Sequence, residues 1–131
     1  MPKEEIKLNT QERGTSGEHF VIADLLSKGV EIFTPACDTN NTDLIAYTNG
    51  SFKRIQIKTI GVYKSKTSVE VRMRKTHNQD HIDYVAIYLW HEKIIAYYPY
   101  DGEISISLAL RRAKNNQDKT RKWFYEYEDF I

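Results

Sequence analysis

Apolar residues first gather at helical spacing, with Phe20, Val21, Ile22, Leu25 and Leu26 forming one stripe. The stripe predicts a helix over residues 15–28, stopped by Gly29 at the position that favours a left-handed residue. From Val30 the period changes to two. Residues 30–34 read as a short strand ended by Pro35, and residues 36–42 as a polar loop. Residues 43–47 and 52–60 alternate on either side of Asn49-Gly50, a pair suited to a type I′ turn because both central residues take positive φ. Residues 68–73 predict a further strand, and residues 76–83 a polar connection with room for one helical turn. A second hairpin, 84–90 with 93–98, turns at His91 and Glu92. Residues 107–114 predict a short helix capped by Ser107, and the aromatic, acidic tail from Trp123 fits a strand or a helix equally. This order implies an α/β (α+β) domain on a mixed central sheet flanked by helices. The 131 residues fit one domain, with a core over about 14–100 and an extension over 101–131.

A two-residue loop fixes the hairpin register. Thr48 faces Ser51, Tyr47 faces Phe52 and, further along, Asp43 faces Gln56. Lys58 follows Gln56 on the same face because strand side chains alternate. A carboxylate, an amide oxygen and an ammonium thus gather at one end of the hairpin. Glu18 stands four residues before Ile22 and eight before Leu26, which predicts a carboxylate on the core-facing side of the helix. Thr15-x-x-Glu18 also has the spacing of a capping box, so Glu18 has a purely local alternative role.

The chemistry of these groups suits magnesium, a hard cation that takes oxygen ligands, keeps several waters and binds through one or two carboxylates plus substrate phosphate. Glu18 and Asp43 are the candidate carboxylate ligands, Gln56 a neutral amide oxygen, and the Ile57 backbone carbonyl a fourth donor. Lys58 would set its positive charge against the phosphate or the attacking water. Phosphodiester hydrolysis with Mg²⁺, or with Mn²⁺ in its place, is the reaction class these residues serve.

Composition excludes little. Charged residues make up 28% and hydrophobic ones 40%, and the formal net charge is +1, so no global field draws the chain to nucleic acid. Local clusters matter more. Lys64, Lys66, Arg72, Arg74 and Lys75 face only Glu70, and Arg111, Arg112, Lys114, Lys119, Arg121 and Lys122 face only Asp118. Both suit non-specific phosphate contact, and both equally suit a solvated surface. Asn40 and Asn41, just before Asp43, stand where a loop would touch DNA, although Asn also favours turns. No apolar run is long enough for a membrane span, and the single cysteine, Cys37, fits a reducing cytoplasmic compartment.

Together these residues resemble the PD-(D/E)xK nuclease superfamily. The resembling segments are Gly14-Thr-Ser-Gly-Glu18, Thr42-Asp43-Leu44-Ile45, Arg54-Ile-Gln-Ile-Lys58-Thr59 and Asp83-Tyr84-Val85-Ala86, spanning about residues 14–90. They are most similar to the branch holding group I intron-encoded homing endonucleases and archaeal Holliday junction resolvases. The resemblance implies a restriction-endonuclease-like core, a metal-dependent DNA endonuclease and a homo-oligomer, dimer or tetramer. Gln56 departs from the Asp or Glu usual at its position, though some members of that branch carry Gln. The loss of a charge there keeps open a second class, a non-catalytic nucleic-acid-binding module on a nuclease fold.

Other residues carry weaker signals. His77 and His81, four apart with Asp80 and Asp83 nearby, have a zinc-like spacing without evident further ligands. His19 and His91 suit surface positions, and Cys37 has no catalytic neighbour. Tyr84, Tyr88, Tyr97 and Tyr98 fit core and subunit contacts better than stacking on bases.

Overall fold

The computed structural model describes residues 7–37, 41–63, 65–73, 81–110 and 121–130. Helix α1 spans Thr10–Ser27 and begins a turn and a half before the expected Thr15. Its N-cap is Asn9, whose side chain accepts from the Glu12 backbone N–H at 2.8 Å while the Glu12 carboxylate accepts from the Asn9 N–H at 3.1 Å. Two stretches thus had the pattern of a capping box, and the upstream one caps the helix. Thr15 and Glu18 are interior, so the capping role considered for Glu18 falls. The helix ends as expected: Gly29 has φ 80°, and its N–H and that of Val30 bond back to Leu26 and Leu25.

The buried face of α1 is Gly17, Val21 and Leu25. Glu18 is one step round and exposed, which corrects the core-facing position expected for it. Gly17 has a specific reason to be glycine. A Cβ there would lie 1.9 Å from Thr59 Oγ1, so α1 meets the sheet backbone-close at this point.

Strands β1 (Glu31–Phe33), β2 (Leu44–Thr48), β3 (Ser51–Ile60), β5 (Tyr84–Leu89) and β6 (Ile94–Pro99) form one sheet in the order β1-β2-β3-β5-β6. The hairpin register is the expected one, from Thr48↔Ser51 to Leu44↔Ile55, and Asn49 and Gly50 take φ of 51° and 79° as a type I′ turn requires. β3 and β5 run parallel, while the other pairs are antiparallel, so the sheet is mixed. β5 is covered on both faces, which explains its unbroken apolar sequence.

β4 (Ser68–Arg72) and β7 (Ser105–Ala109) form a separate antiparallel ribbon. β7 overturns the helix expected from Ser107. Ser105 and Ser107 are exposed while Ile106 and Leu108 are buried, a period-two pattern whose serines are the outer face of a strand rather than caps. The rest of that expected helix, residues 111–114, lies outside the described residues. The tail forms a 3₁₀ turn, Phe124–Tyr127, with Phe124 buried.

Two cores result, one on each face of the sheet. Val21 and Leu25 of α1 pack with Leu44, Ala46, Ile55, Ala86, Tyr88 and Tyr97. On the other face, Val85, Ile87 and Leu89 pack with Val69, Val71, Ile106 and Leu108 of the ribbon and with Phe124. The sheet is therefore flanked by a helix on one side and by the ribbon and tail on the other. Tyr88, Tyr97 and Tyr98 are core residues, as expected, and Tyr97 OH ties the sheet to α1 by donating to Asp24 at 2.5 Å. Among the described residues no helix is long and apolar enough to cross a membrane.

Candidate active site

β2 is five residues long and β3 ten, so half of β3 outruns its antiparallel partner. The last main-chain rung runs from the Asp43 N–H to the Ile55 carbonyl, 2.9 Å. Two residues on, the Ile57 N–H would open an unpaired edge, and there the Asp43 side chain takes over: its Oδ2 accepts from Ile57 at 2.7 Å. The sequence register thus leads to a more specific result than proximity to Gln56. The Asp43 carboxylate sits in the fork where β2 and β3 part, held by a backbone donor.

Around that fork the candidate residues divide. Glu18, Asp43 and Ile57 line one cleft of about 280 Å³, with His19 and Pro35 on its walls. Lys58 lines a neighbouring cleft of about 350 Å³, and Ile57 is common to both. Gln56 lines neither and is only 9% exposed. Its register partner across the parallel pair is Val85, and that of Lys58 is Ile87, both in the core beneath the ribbon. Ile55 and Ile57 pack with the α1 core instead. Gln56 and Lys58 therefore share a face, as expected, while Glu18 approaches from the other side of the sheet.

Gln56 Oε1 is buried without a hydrogen-bond partner among the described residues. A buried amide oxygen left unpaired costs about 1–3 kcal/mol, so something is expected to take its lone pairs. A hard cation is one group that would take them, and the carboxylates of Glu18 and Asp43, which share a cleft with Ile57, are the kind of donor such a cation takes. Among the described residues no three His, Cys, Asp or Glu come together as a metal group, so an all-acidic or zinc-type site is not formed there. His81 lies in another cleft with Arg54 and Asp83, and His77 falls outside the described residues.

Of the expected DNA-contacting residues, Asn41, Lys66 and Arg72 are described. Lys66 and Arg72 are exposed, Arg72 lying 3.6 Å from Glu70, and Asn41, two residues before Asp43, is half-buried. Asn40, Lys64, Arg74 and Lys75 lie outside the described residues. Sequence reasoning missed Arg13, which lines the Lys58 cleft, because the helix was expected to begin after it. It also missed the structural role of Asp83, whose carboxylate accepts from the Arg54 N–H at 2.8 Å while its own N–H donates to the Arg54 carbonyl.

A five-stranded mixed sheet with one docked helix, splitting around an aspartate at the end of its central hairpin, is a restriction-endonuclease-like arrangement. The chain belongs to the PD-(D/E)XK endonuclease family, whose profile matches residues 8–130. Its fold is similar to that of the bacterial homing endonuclease I-Ssp6803I, with a TM-score of 0.72 and 18% identity over 92% of this chain and 87% of that one. A weaker likeness, TM-score 0.48 and 15% identity over 73% of this chain and 83% of the other, joins it to Hjc, a Holliday junction resolvase of the archaeal hyperthermophile Archaeoglobus fulgidus. Comparison with curated proteins found no match.

Proposed function

We propose that this protein is a divalent-metal-dependent DNA endonuclease of the homing type, cutting duplex DNA at a preferred sequence. The observation that carries the reading is the fork: an aspartate clamped on the Ile57 N–H, in a cleft it shares with Glu18, in a chain of the PD-(D/E)XK endonuclease family. In this reading Asp43, Glu18, Gln56 Oε1 and the Ile57 carbonyl would hold Mg²⁺ or Mn²⁺. The bound ion supplies positive charge at the scissile phosphate and favours ionisation of a water. Asp43 is oriented before any ligand arrives, because Ile57 fixes one carboxylate oxygen. In this reading Lys58, one residue beyond Ile57, supplies the positive charge that stabilises charge developing on the phosphate oxygens. Cutting both strands calls for at least two copies, so we assign a homo-oligomer, dimer or tetramer, working in the cytoplasm.

Cleavage of supercoiled plasmid, genomic DNA and a four-way junction with Mg²⁺, beside Asp43→Ala and Lys58→Ala, tests this reading. Metal-dependent cutting of linear duplex at discrete positions, lost in both variants, is the expected result. Cutting of junctions regardless of sequence would make the enzyme a resolvase instead. One observation favours a second reading: Gln56 replaces the acid usual in the motif, and a weaker metal site is a route to a binding module without catalysis. Duplex binding with no cleavage under any divalent metal would select that module.

A further inference from the structure

We propose that the ribbon-side face of β1, β2 and β3 is the surface through which two copies of this chain dimerise, with Glu31 of each copy set against Arg54 of the other. The inference rests on the nuclease reading above only for its need of two copies. Side chains of these strands alternate between the faces, and Ile32, Leu44, Ala46 and Ile55 pack in the α1 core. Glu31, Phe33, Ile45, Tyr47, Phe52 and Arg54 therefore point the other way. None of them joins the core beneath the ribbon, which is built on β5 and β6. Their register sets them in two rows, Glu31–Tyr47–Phe52 and Phe33–Ile45–Arg54.

Three rings on this face touch one another while water reaches them. Phe33, Tyr47 and Phe52 are 44%, 37% and 64% exposed, and the Phe52 ring centroid lies 4.7 Å from that of Tyr47 and 6.1 Å from that of Phe33. At about 200 Å² for an aromatic side chain, those fractions leave about 300 Å² of ring surface in water. A stable complex buries about 800 Å² on each partner, with aromatic residues at its centre and polar ones at its rim. The cluster supplies such a centre, and the charges supply the rim. Glu31 and Arg54 occupy opposite corners of the two rows. A two-fold axis along the Phe33–Phe52 diagonal lays each Glu31 on the other copy's Arg54, with rings on rings between them. The strands of the two sheets then cross steeply, one of the two ways in which sheets pack. DNA suits the face less well. A cleft of about 450 Å³ beside the rings is lined by Arg54, His81 and Asp83, so with Glu31 the surface sets two acids against its bases and does not draw phosphate. The Glu18–Asp43 cleft is walled by α1, on the opposite side of the sheet, so docking leaves it uncovered.

Sedimentation velocity of the full chain over a range of concentrations, without DNA or metal, is the test. The parent is expected to be a dimer. Phe52→Ser removes a ring that is mostly in water, so it should leave the circular dichroism unchanged while raising the dimer Kd at least about a hundredfold. Glu31→Arg and Arg54→Glu should each weaken the dimer about tenfold, and the two together should restore it. A parent-like Kd in Phe52→Ser would overturn the inference, as would a parent that is monomeric at every concentration. A double charge variant no tighter than the single ones would overturn the crosswise pairing. A monomeric parent whose binding to a 30-base-pair duplex in EDTA is lost in Phe52→Ser would assign the face to DNA instead. If the dimer depends on Phe52 but no divalent metal supports cleavage, the nuclease reading falls and the interface stands. A monomeric parent that cuts DNA with metal leaves the nuclease reading and removes the interface.

Discussion

Gly17→Ala places one methyl group where α1 touches the sheet. The new Cβ would lie 1.9 Å from Thr59 Oγ1, 3.1 Å from Thr59 Cβ and 3.4 Å from Cγ2. Non-bonded heavy atoms prefer separations of about 3.5–4.0 Å, so roughly 1.5 Å must be found. Rotation of Thr59 can swing Oγ1 aside, but the Cβ contact remains, and α1 has to lift. Overpacking of this kind costs about 1–3 kcal/mol, against a helix-propensity gain of about 1 kcal/mol for alanine over glycine. The expected net destabilisation is about 1 kcal/mol. Activity should suffer more, because the next residue is Glu18, and a misplacement of about 1 Å at a reacting site costs on the order of a hundredfold. Urea unfolding and Mg²⁺-dependent cleavage of any DNA the parent cuts would measure the two effects. Thr59→Ala removes Oγ1 and Cγ2, and since that hydroxyl is buried without a partner among the described residues, the single variant should be close to neutral. Gly17→Ala/Thr59→Ala should regain stability and part of the cleavage. A Gly17→Ala protein as stable and active as the parent would refute the tight docking of α1. So would effects of the two substitutions that simply add, within about 0.5 kcal/mol.

Asp43→Asn keeps an oxygen for the Ile57 N–H, so its stability should stay within about 1 kcal/mol of the parent while cleavage falls at least about a hundredfold; unchanged cutting would remove Asp43 from the chemistry. Asp43→Ala loses both and should also unfold at lower urea. Gln56→Glu places a carboxylate at a position 9% exposed and should lower the melting temperature in EDTA, with a larger recovery than the parent on adding Mg²⁺ or Mn²⁺; equal metal-induced shifts would rule Gln56 out as a ligand. Stability against pH should depend on the chain Lys122–Tyr98–Glu103, in which Lys122 Nζ donates to Tyr98 OH at 2.6 Å and Tyr98 donates to Glu103. Burial, then the bond to Glu103, raises the Tyr98 pKa, and the bond to Tyr98 raises that of Lys122. Their contribution is therefore present below the unfolded values of about 10 and is lost as pH rises through the folded ones. Burial works against the Glu103 carboxylate, but Tyr98, backbone N–H groups and Lys122 outweigh it and hold its pKa low. Its contribution is present above the unfolded value of about 4.3 and is lost as pH falls through the folded one. Tyr98→Phe should flatten both limbs of a melting-temperature profile, and an unchanged profile would count against the chain.

The central hairpin was legible because its turn is chemically specified: Asn49-Gly50 fixes the loop length, and loop length fixes the register as far as Leu44 and Ile55, one residue short of the expected Asp43–Gln56 pair. Element ends were less legible where two patterns compete. Asn9-x-x-Glu12 and Thr15-x-x-Glu18 carry the same capping signature, and nothing local decides between them. Glu18 turns outward because the buried row of α1 is Gly17, Val21 and Leu25, one step round from the row that Ile22 and Leu26 suggest, and the early start of α1 puts Arg13 on the helix. β7 was misread because a serine before apolar residues serves equally as a cap and as the outer face of a strand, and only pairing with β4 distinguishes them. The division of the site into two clefts sharing Ile57 depends on which face of β3 each core covers, a tertiary fact without a local signature.

The unequal lengths of β2 and β3 have a consequence for how this protein can change. An exposed strand edge invites pairing with another chain, and sheets normally guard against it. Here Asp43 imitates one more rung, so the residue proposed to serve the metal is also the stopper that ends the hairpin. A substitution that let β2 run on by two residues would satisfy the backbone better and erase the fork. On the proposed function, the end of the molecule that carries the chemistry is a place where strand pairing is left incomplete, and a more regular sheet would make a poorer nuclease.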